Sequence, residues 1–85
     1  MDGYDFNLSS KAVHTILGTS PRWRRQSMEA IGQLVENPFI TADLQETSNE
    51  GRTYLTLVRE NVVLTYWVDH GSRIIHIMLV ELVKE

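Results

Sequence analysis

The sequence predicts an α+β fold in the order β-α-α-β-β-β(-β), with a helical hairpin packed on one face of a small antiparallel-rich sheet. Three observations carry this. Apolar residues recur with the period of a strand over residues 4–8, of a helix over residues 11–36, and of a strand again from residue 52 onward. Proline, glycine and asparagine fall between those segments, where turns and helix ends need them. The C-terminal part is dense in β-branched and aromatic side chains.

In Tyr4-Asp5-Phe6-Asn7-Leu8, apolar and polar residues alternate as on a half-buried strand. Ser9 and Ser10 then supply capping oxygens for a helix over residues 11–17. Val13, Ile16 and Leu17 are expected on its buried face, with Gly18 ending it in a left-handed conformation. Ser20 caps a second helix that has Pro21 at its first position. Its apolar stripe is Trp23, Ser27, Ile31, Leu34 and Val35, with Met28 and Ala30 at the edges, and Asn37-Pro38 stops it. The short link makes the two helices an antiparallel hairpin.

Strands follow. The first is expected over residues 40–46, and Ser48-Asn49-Glu50-Gly51 is a polar turn. Residues 52–60 place Leu55 and Leu57 on one face and Tyr54, Thr56 and Val58 on the other. Glu60-Asn61 forms a hairpin turn to a strand over residues 62–69, and His70-Gly71-Ser72 turns the chain again. The last strand, residues 73–83, is apolar on both sides: Ile75, Ile77 and Leu79 on one, Ile74, Met78 and Val80 on the other. Such a strand is expected to be covered on both faces. Two helices cover one, so a protein partner or a second copy in a homodimer is expected on the other.

With 85 residues, a single domain spanning 1–85 is expected, and its stability margin is small. There is no cysteine, so no disulfide or thiolate metal site supports it. Apolar stretches are too short for a membrane helix and the N-terminus has no basic signal-peptide region, which predicts a soluble cytoplasmic protein. The net charge of −3 disfavours nucleic acid as a partner. Arg22, Arg24 and Arg25 run against that balance, clustered in a helical first turn where the macrodipole disfavours cations. No glycine-rich phosphate loop implies a cofactor, and the three histidines lack ligand spacing, so no metal is expected.

Four segments in their order resemble the RelE/ParE toxin superfamily of bacterial toxin–antitoxin and plasmid-stabilisation systems. They are Phe6-Asn7-Leu8-Ser9-Ser10-Lys11-Ala12, the helix end Leu34-Val35-Glu36-Asn37-Pro38, Gly51-Arg52-Thr53-Tyr54, and Val63-Leu64-Thr65-Tyr66-Trp67-Val68-Asp69. The resemblance implies either messenger RNA cleavage on the ribosome or poisoning of DNA gyrase, in both cases neutralised by an antitoxin segment wrapped over sheet and helices. This chain departs from the ribonuclease pattern. Where that pattern has Tyr-Arg-x-x-Tyr, the final tyrosine is kept as Tyr66 but the arginine position holds Val63. Tyr54 and Thr56 stand near the position of two lysines.

RNA cleavage by 2′-hydroxyl attack needs a base, an acid and cations against the charge building on phosphorus. A non-standard site would have to draw on Arg52, Arg59, His70, Arg73 or Lys84, at least two of them converging. A protein-binding site would instead use Arg22, Arg24, Arg25, Tyr54, Trp67 and Met78. His76, flanked by Ile75 and Ile77, is expected in the core or an interface, and His14 at the surface. A binding toxin, an RNA-cleaving toxin and a non-toxic interaction module are the three readings these residues allow.

Overall fold

The computed structural model describes residues 3–83, so Lys84 lies outside the described residues. Seven elements follow in the expected order: β1 (Asp5–Leu8), α1 (Ser10–Leu17), α2 (Pro21–Glu36), β2 (Leu44–Thr47), β3 (Thr53–Arg59), β4 (Val62–Asp69) and β5 (Ile74–Leu82). The five strands form one sheet in the order β1-β5-β4-β3-β2. β2 to β5 are an antiparallel meander, and β1 adds to the outer side of β5 in parallel.

Both helices begin as their serines dictate: Ser9 Oγ accepts from the Ala12 N–H and Ser20 Oγ from the Trp23 N–H. Ser9 also ties α1 to the sheet. Its hydroxyl donates to the Met78 carbonyl at 2.6 Å and its N–H to the Ile77 carbonyl at 2.9 Å. Arg24 reaches back from α2 and donates to the carbonyls of Ile16, Leu17 and Thr19, groups the end of α1 leaves without helical partners. This arginine, expected in a partner site, is therefore first a C-terminal cap for α1, where its charge also suits the macrodipole.

The core lies between the helices and one face of the sheet. Ala12, Ile16, Ala30, Ile31 and Leu34 meet Leu57, Val62, Leu64, Tyr66, Ile75, Ile77 and Val80, all buried. Ser27 is buried with them and turns its hydroxyl back to the Trp23 carbonyl at 2.8 Å. Tyr66 is fully buried, and its hydroxyl has no hydrogen-bond partner among the described residues. Burial pushes its phenol above the ordinary value, and nearby Arg59 pulls it the other way.

Four expectations need correction. On α1, Ala12 and Ile16 face the core while Leu17 is 65% exposed, because the sheet meets the helix one position earlier than its apolar residues suggest. Gly18 has φ −86°, an ordinary value: the Arg24 cap ends α1 in place of a left-handed glycine. β2 starts at Leu44, since Ile40 packs on the core from a loop and Asp43 binds the Val58 N–H. Finally, β5 carries a β-bulge. Tyr66 pairs with Ile77 and Thr65 with Leu79, so Met78 is an extra residue and the parity switches after it. Val80 joins Ile75 and Ile77 in the core, and Leu79 faces the other way.

The β4–β5 turn is closed by Asp69, whose carboxylate accepts from the N–H groups of Gly71 and Ser72 at 3.0 and 3.2 Å. Those bonds, with Ser72 foremost, hold Asp69 below its ordinary pKa of 3.8.

Three measurements check this account. Arg24→Ala should lower stability by about 1 kcal/mol in chemical denaturation, and Arg25→Ala by less than about 0.5 kcal/mol. Tyr66→Phe should leave stability unchanged or raise it by up to about 1 kcal/mol, since it removes a buried hydroxyl that bonds nothing; a clear loss would contradict the unpaired state. Asp69 has a depressed folded pKa, so its contribution is present above pH 3.8 and fades as pH falls through the lowered folded value. Asp69→Asn should therefore flatten the acid limb of a stability–pH curve.

Candidate functional site

The sheet face away from the helices has a regular construction. Strand alternation puts Val58, Thr56 and Tyr54 of β3 on it, with Val63, Thr65, Trp67 and Asp69 of β4. Beyond the bulge, β5 contributes Glu81 and Leu79, and before it His76 and Ile74, while β1 adds Asn7 and Asp5. The register arranges these in rows: Val58–Val63–Glu81, Thr56–Thr65–Leu79, Trp67–His76–Asn7 and Asp69–Ile74–Asp5. The middle of the face is apolar and hydroxylic. Its rim is acidic, with Asp5, Asp69 and Glu81 joined by Glu46, which pairs with Tyr54.

One row is a connected ladder. The Arg52 guanidinium lies 4.0 Å from the Trp67 ring centroid. On the next strand the His76 ring stacks on that indole, with 4.0 Å between centroids and 13° between planes. His76 Nδ1 sits 3.0 Å from Asn7 Oδ1, which fixes the imidazole on its far side. Four consecutive segments thus present a cation, two stacked rings and an amide in line. Trp67 and His76 are half-buried, with Arg52 and Asn7 exposed at the two ends. Cation–π and aromatic stacking of this kind contribute about 0.5–1.5 kcal/mol each.

The other anticipated residues are distributed over the molecule. Tyr54 lines a shallow cleft of about 220 Å³ with Glu50 and Arg52, beside the ladder. Met78 is the bulged residue of β5 and 38% exposed. Arg22 and Arg25 are exposed on α2, with Arg22 6.0 Å from the Trp23 ring. Arg59 is at the opposite end of β3 from Arg52, where it lines a cavity of about 110 Å³ with Gln26, Glu29, Ala30, Gln33 and Glu60. Arg73 takes φ +59° just before β5. His70 belongs to an aromatic trio. Its Nδ1 is 2.7 Å from the Tyr4 hydroxyl, and its ring stacks on exposed Phe39 at 5.0 Å and 7°. Phe39 and His70 border a cleft of about 320 Å³ that runs past Ile40, Leu55 and Val68.

Arg52 and Arg59 do not share a groove, since Arg52 is at one end of β3 and Arg59 at the other. Val83 is at the Arg59 end, donating to the Asn61 carbonyl. Tyr66, the tyrosine kept from the ribonuclease pattern, points into the core and is shut off from the open face. Val63, at the arginine position, is on that face opposite Val58. Sequence reasoning missed His76 and Asn7 as members of the site. The signal was available: His76 lies between two residues of one parity, so it must point away from the core they enter. Among the described residues no cluster of His, Asp or Glu forms a metal site, and no helix is long and apolar enough to cross a membrane.

No protein-family model and no curated protein matches the sequence. Solved structures do match the fold. The isolated Escherichia coli RelE toxin superposes with a TM-score of 0.76 at 14% identity, over 96% of this chain and 86% of that one. A chain of the RelBE2 toxin–antitoxin complex from Mycobacterium tuberculosis gives 0.74 at 18% identity, over 94% and 98%. A chain of the archaeal RelE–RelB complex from Pyrococcus horikoshii gives 0.72 at 12% identity, over 96% of each. With its helical hairpin on one face of a five-stranded sheet, this chain has the RelE-like α+β fold.

Proposed function

We propose that this chain is the toxin-like half of a toxin–antitoxin pair, that it binds a target protein with the open face of its sheet, and that an antitoxin protein neutralises it. The observation that carries the binding mode is the composition of that face. Its centre is Val58, Val63, Thr56, Thr65 and Leu79, and its rim is Asp5, Glu46, Asp69 and Glu81. Such a surface offers apolar contact area and repels a polyanion. Two of the similar folds were solved as toxin–antitoxin and RelE–RelB complexes, which supports an antitoxin as the covering partner. Trp67 is the natural anchor: a large aromatic near the middle of the face, held in place by its neighbours on both sides.

A second reading, RNA cleavage at a non-standard site, is favoured by one observation. Arg52 and His76 stand on the same ladder, and a histidine is suited to proton transfer near neutral pH. The acidic rim and the valine pair weigh against it, because little opposes the negative charge that builds on phosphorus.

Tightly induced expression of the full chain in a bacterial host tests both. Growth should arrest with messenger RNA intact. Trp67→Ala, folded as judged by circular dichroism, should relieve the arrest, since losing an interface anchor costs about 2 kcal/mol, or roughly 30-fold in affinity. Cleaved messenger RNA that becomes intact in His76→Ala would move the assignment to the second reading. Normal growth with accumulating folded protein would remove the toxin reading and leave an interaction module.

A further inference from the structure

The open face of the sheet is one-sided in charge. Among the described residues it carries the carboxylates of Asp5, Glu46, Asp69 and Glu81, and Glu50 lines the cleft beside Tyr54. Against these stands the Arg52 guanidinium, which is engaged over the Trp67 ring. Arg73, in the turn before β5, is the other base near this rim, and its carbonyl accepts from the Asp5 N–H. Arg59 belongs to the α2 side of β3, where it lines a cavity with Gln26 and Glu29.

Two of the carboxylates have local reasons for their places. Asp69 closes the β4–β5 turn, and Asp5 accepts from the Phe6 N–H at 2.8 Å. Glu46 and Glu81 have none: both are exposed, and neither side chain bonds or pairs with another described residue. Solubility does not select their sign either. An edge strand such as β2 is blunted at least as well by lysine as by glutamate, and mixed signs keep a surface soluble. Their positions bracket the apolar part of the face. Glu46 stands on the edge strand opposite Tyr54, and Glu81 ends the row through Val58 and Val63. Between them runs the row Leu44–Thr56–Thr65–Leu79, whose Leu44 is 63% exposed. Two carboxylates thus hold opposite corners of an apolar band that crosses four strands, about 14 Å at ordinary strand spacing.

From this pattern we infer that the protein segment covering the open face is basic and amphipathic. It is a helix of about three turns lying across the strands. Its apolar stripe meets Leu44, Val58, Val63 and Leu79, and its lysine or arginine side chains reach Glu46 and Glu81 at the two corners. The inference rests on the reading of this face as a protein-binding surface, and it adds the sign of the partner. A second copy of this chain fits poorly, since it would bring the same carboxylates to the interface. A nucleic acid fits no better, because its phosphates would meet them too.

The probes are two fluorescein-labelled synthetic helices of about 14 residues that share a leucine stripe, one with lysine beside it and one with glutamate. Anisotropy is followed on titration with the full chain at about 0.1 M salt. The lysine helix should bind saturably, lose affinity as salt is added, and bind about tenfold more tightly than the glutamate helix. Glu46→Gln/Glu81→Gln should weaken it about tenfold and Val63→Gln about threefold. Glu29→Gln/Glu36→Gln removes the same net charge from exposed positions of α2, away from the open face, and should change binding less than about twofold. Each variant should melt as the parent does; if Val63→Gln fails to fold, the two double variants carry the test. Equal loss in both double variants, tighter binding of the glutamate helix, or no binding by the parent chain would overturn the inference. Relief of growth arrest by Trp67→Ala is read independently of all three, so the protein-binding reading of the face and the sign of its partner fail separately.

Discussion

Two helices can cover one face of a five-stranded sheet, and this constraint shapes the rest of the molecule. The covered face is secured where α1 lands on β5: Ser9 bonds two successive β5 carbonyls and caps the helix with the same hydroxyl, while Ala12 and Ile16 close over the strand. With that landing fixed, the link to α2 is short enough for Arg24 to reach back and close the end of α1. The hairpin is thus locked at both ends of its first helix by side chains that serve two elements at once. A chain of 85 residues has little core to spare, so such double service matters more here than in a larger fold.

The uncovered face is stabilised differently. Instead of burial, it uses lateral contact between neighbouring strands, with guanidinium on indole, indole on imidazole and imidazole to amide. These contacts tolerate water, which suits a face that the two helices leave open. They also hold Trp67 in one orientation.

Much of this was legible in the sequence, and the failures share a cause. Capping serines, Pro21 and the hairpin turn at Glu60-Asn61 act over a few residues, and the structure uses each as its chemistry suggests. The parity of β3 was readable too, since the strand is regular. The buried side of α1, the start of β2 and the parity of β5 after Ile77 depend on contacts between distant segments. No local pattern reports where the sheet meets a helix, that Asp43 holds β3 before β2 begins, or that Met78 is an extra residue. The site suffered most. His76, flanked by isoleucines, was expected in the core or an interface, and alternation assigns it to the open face rather than the core.

The bulge at Met78 acts as a reading-frame correction for β5. In an unbroken alternation the residues two and four after Ile77 would follow it inward, so Leu79 and Glu81 would face the helices, and Val80 and Leu82 would face out. A carboxylate would then lie in the core of a domain with no margin to bury it. The inserted residue shifts the frame by one, returning Glu81 to solvent and Val80 to the interior. Segment length at this point is therefore fixed more tightly than residue identity. A deletion of one residue there would change the wetting of everything downstream on β5, whereas the polar turn between β2 and β3 could gain or lose a residue without moving any side chain across the sheet.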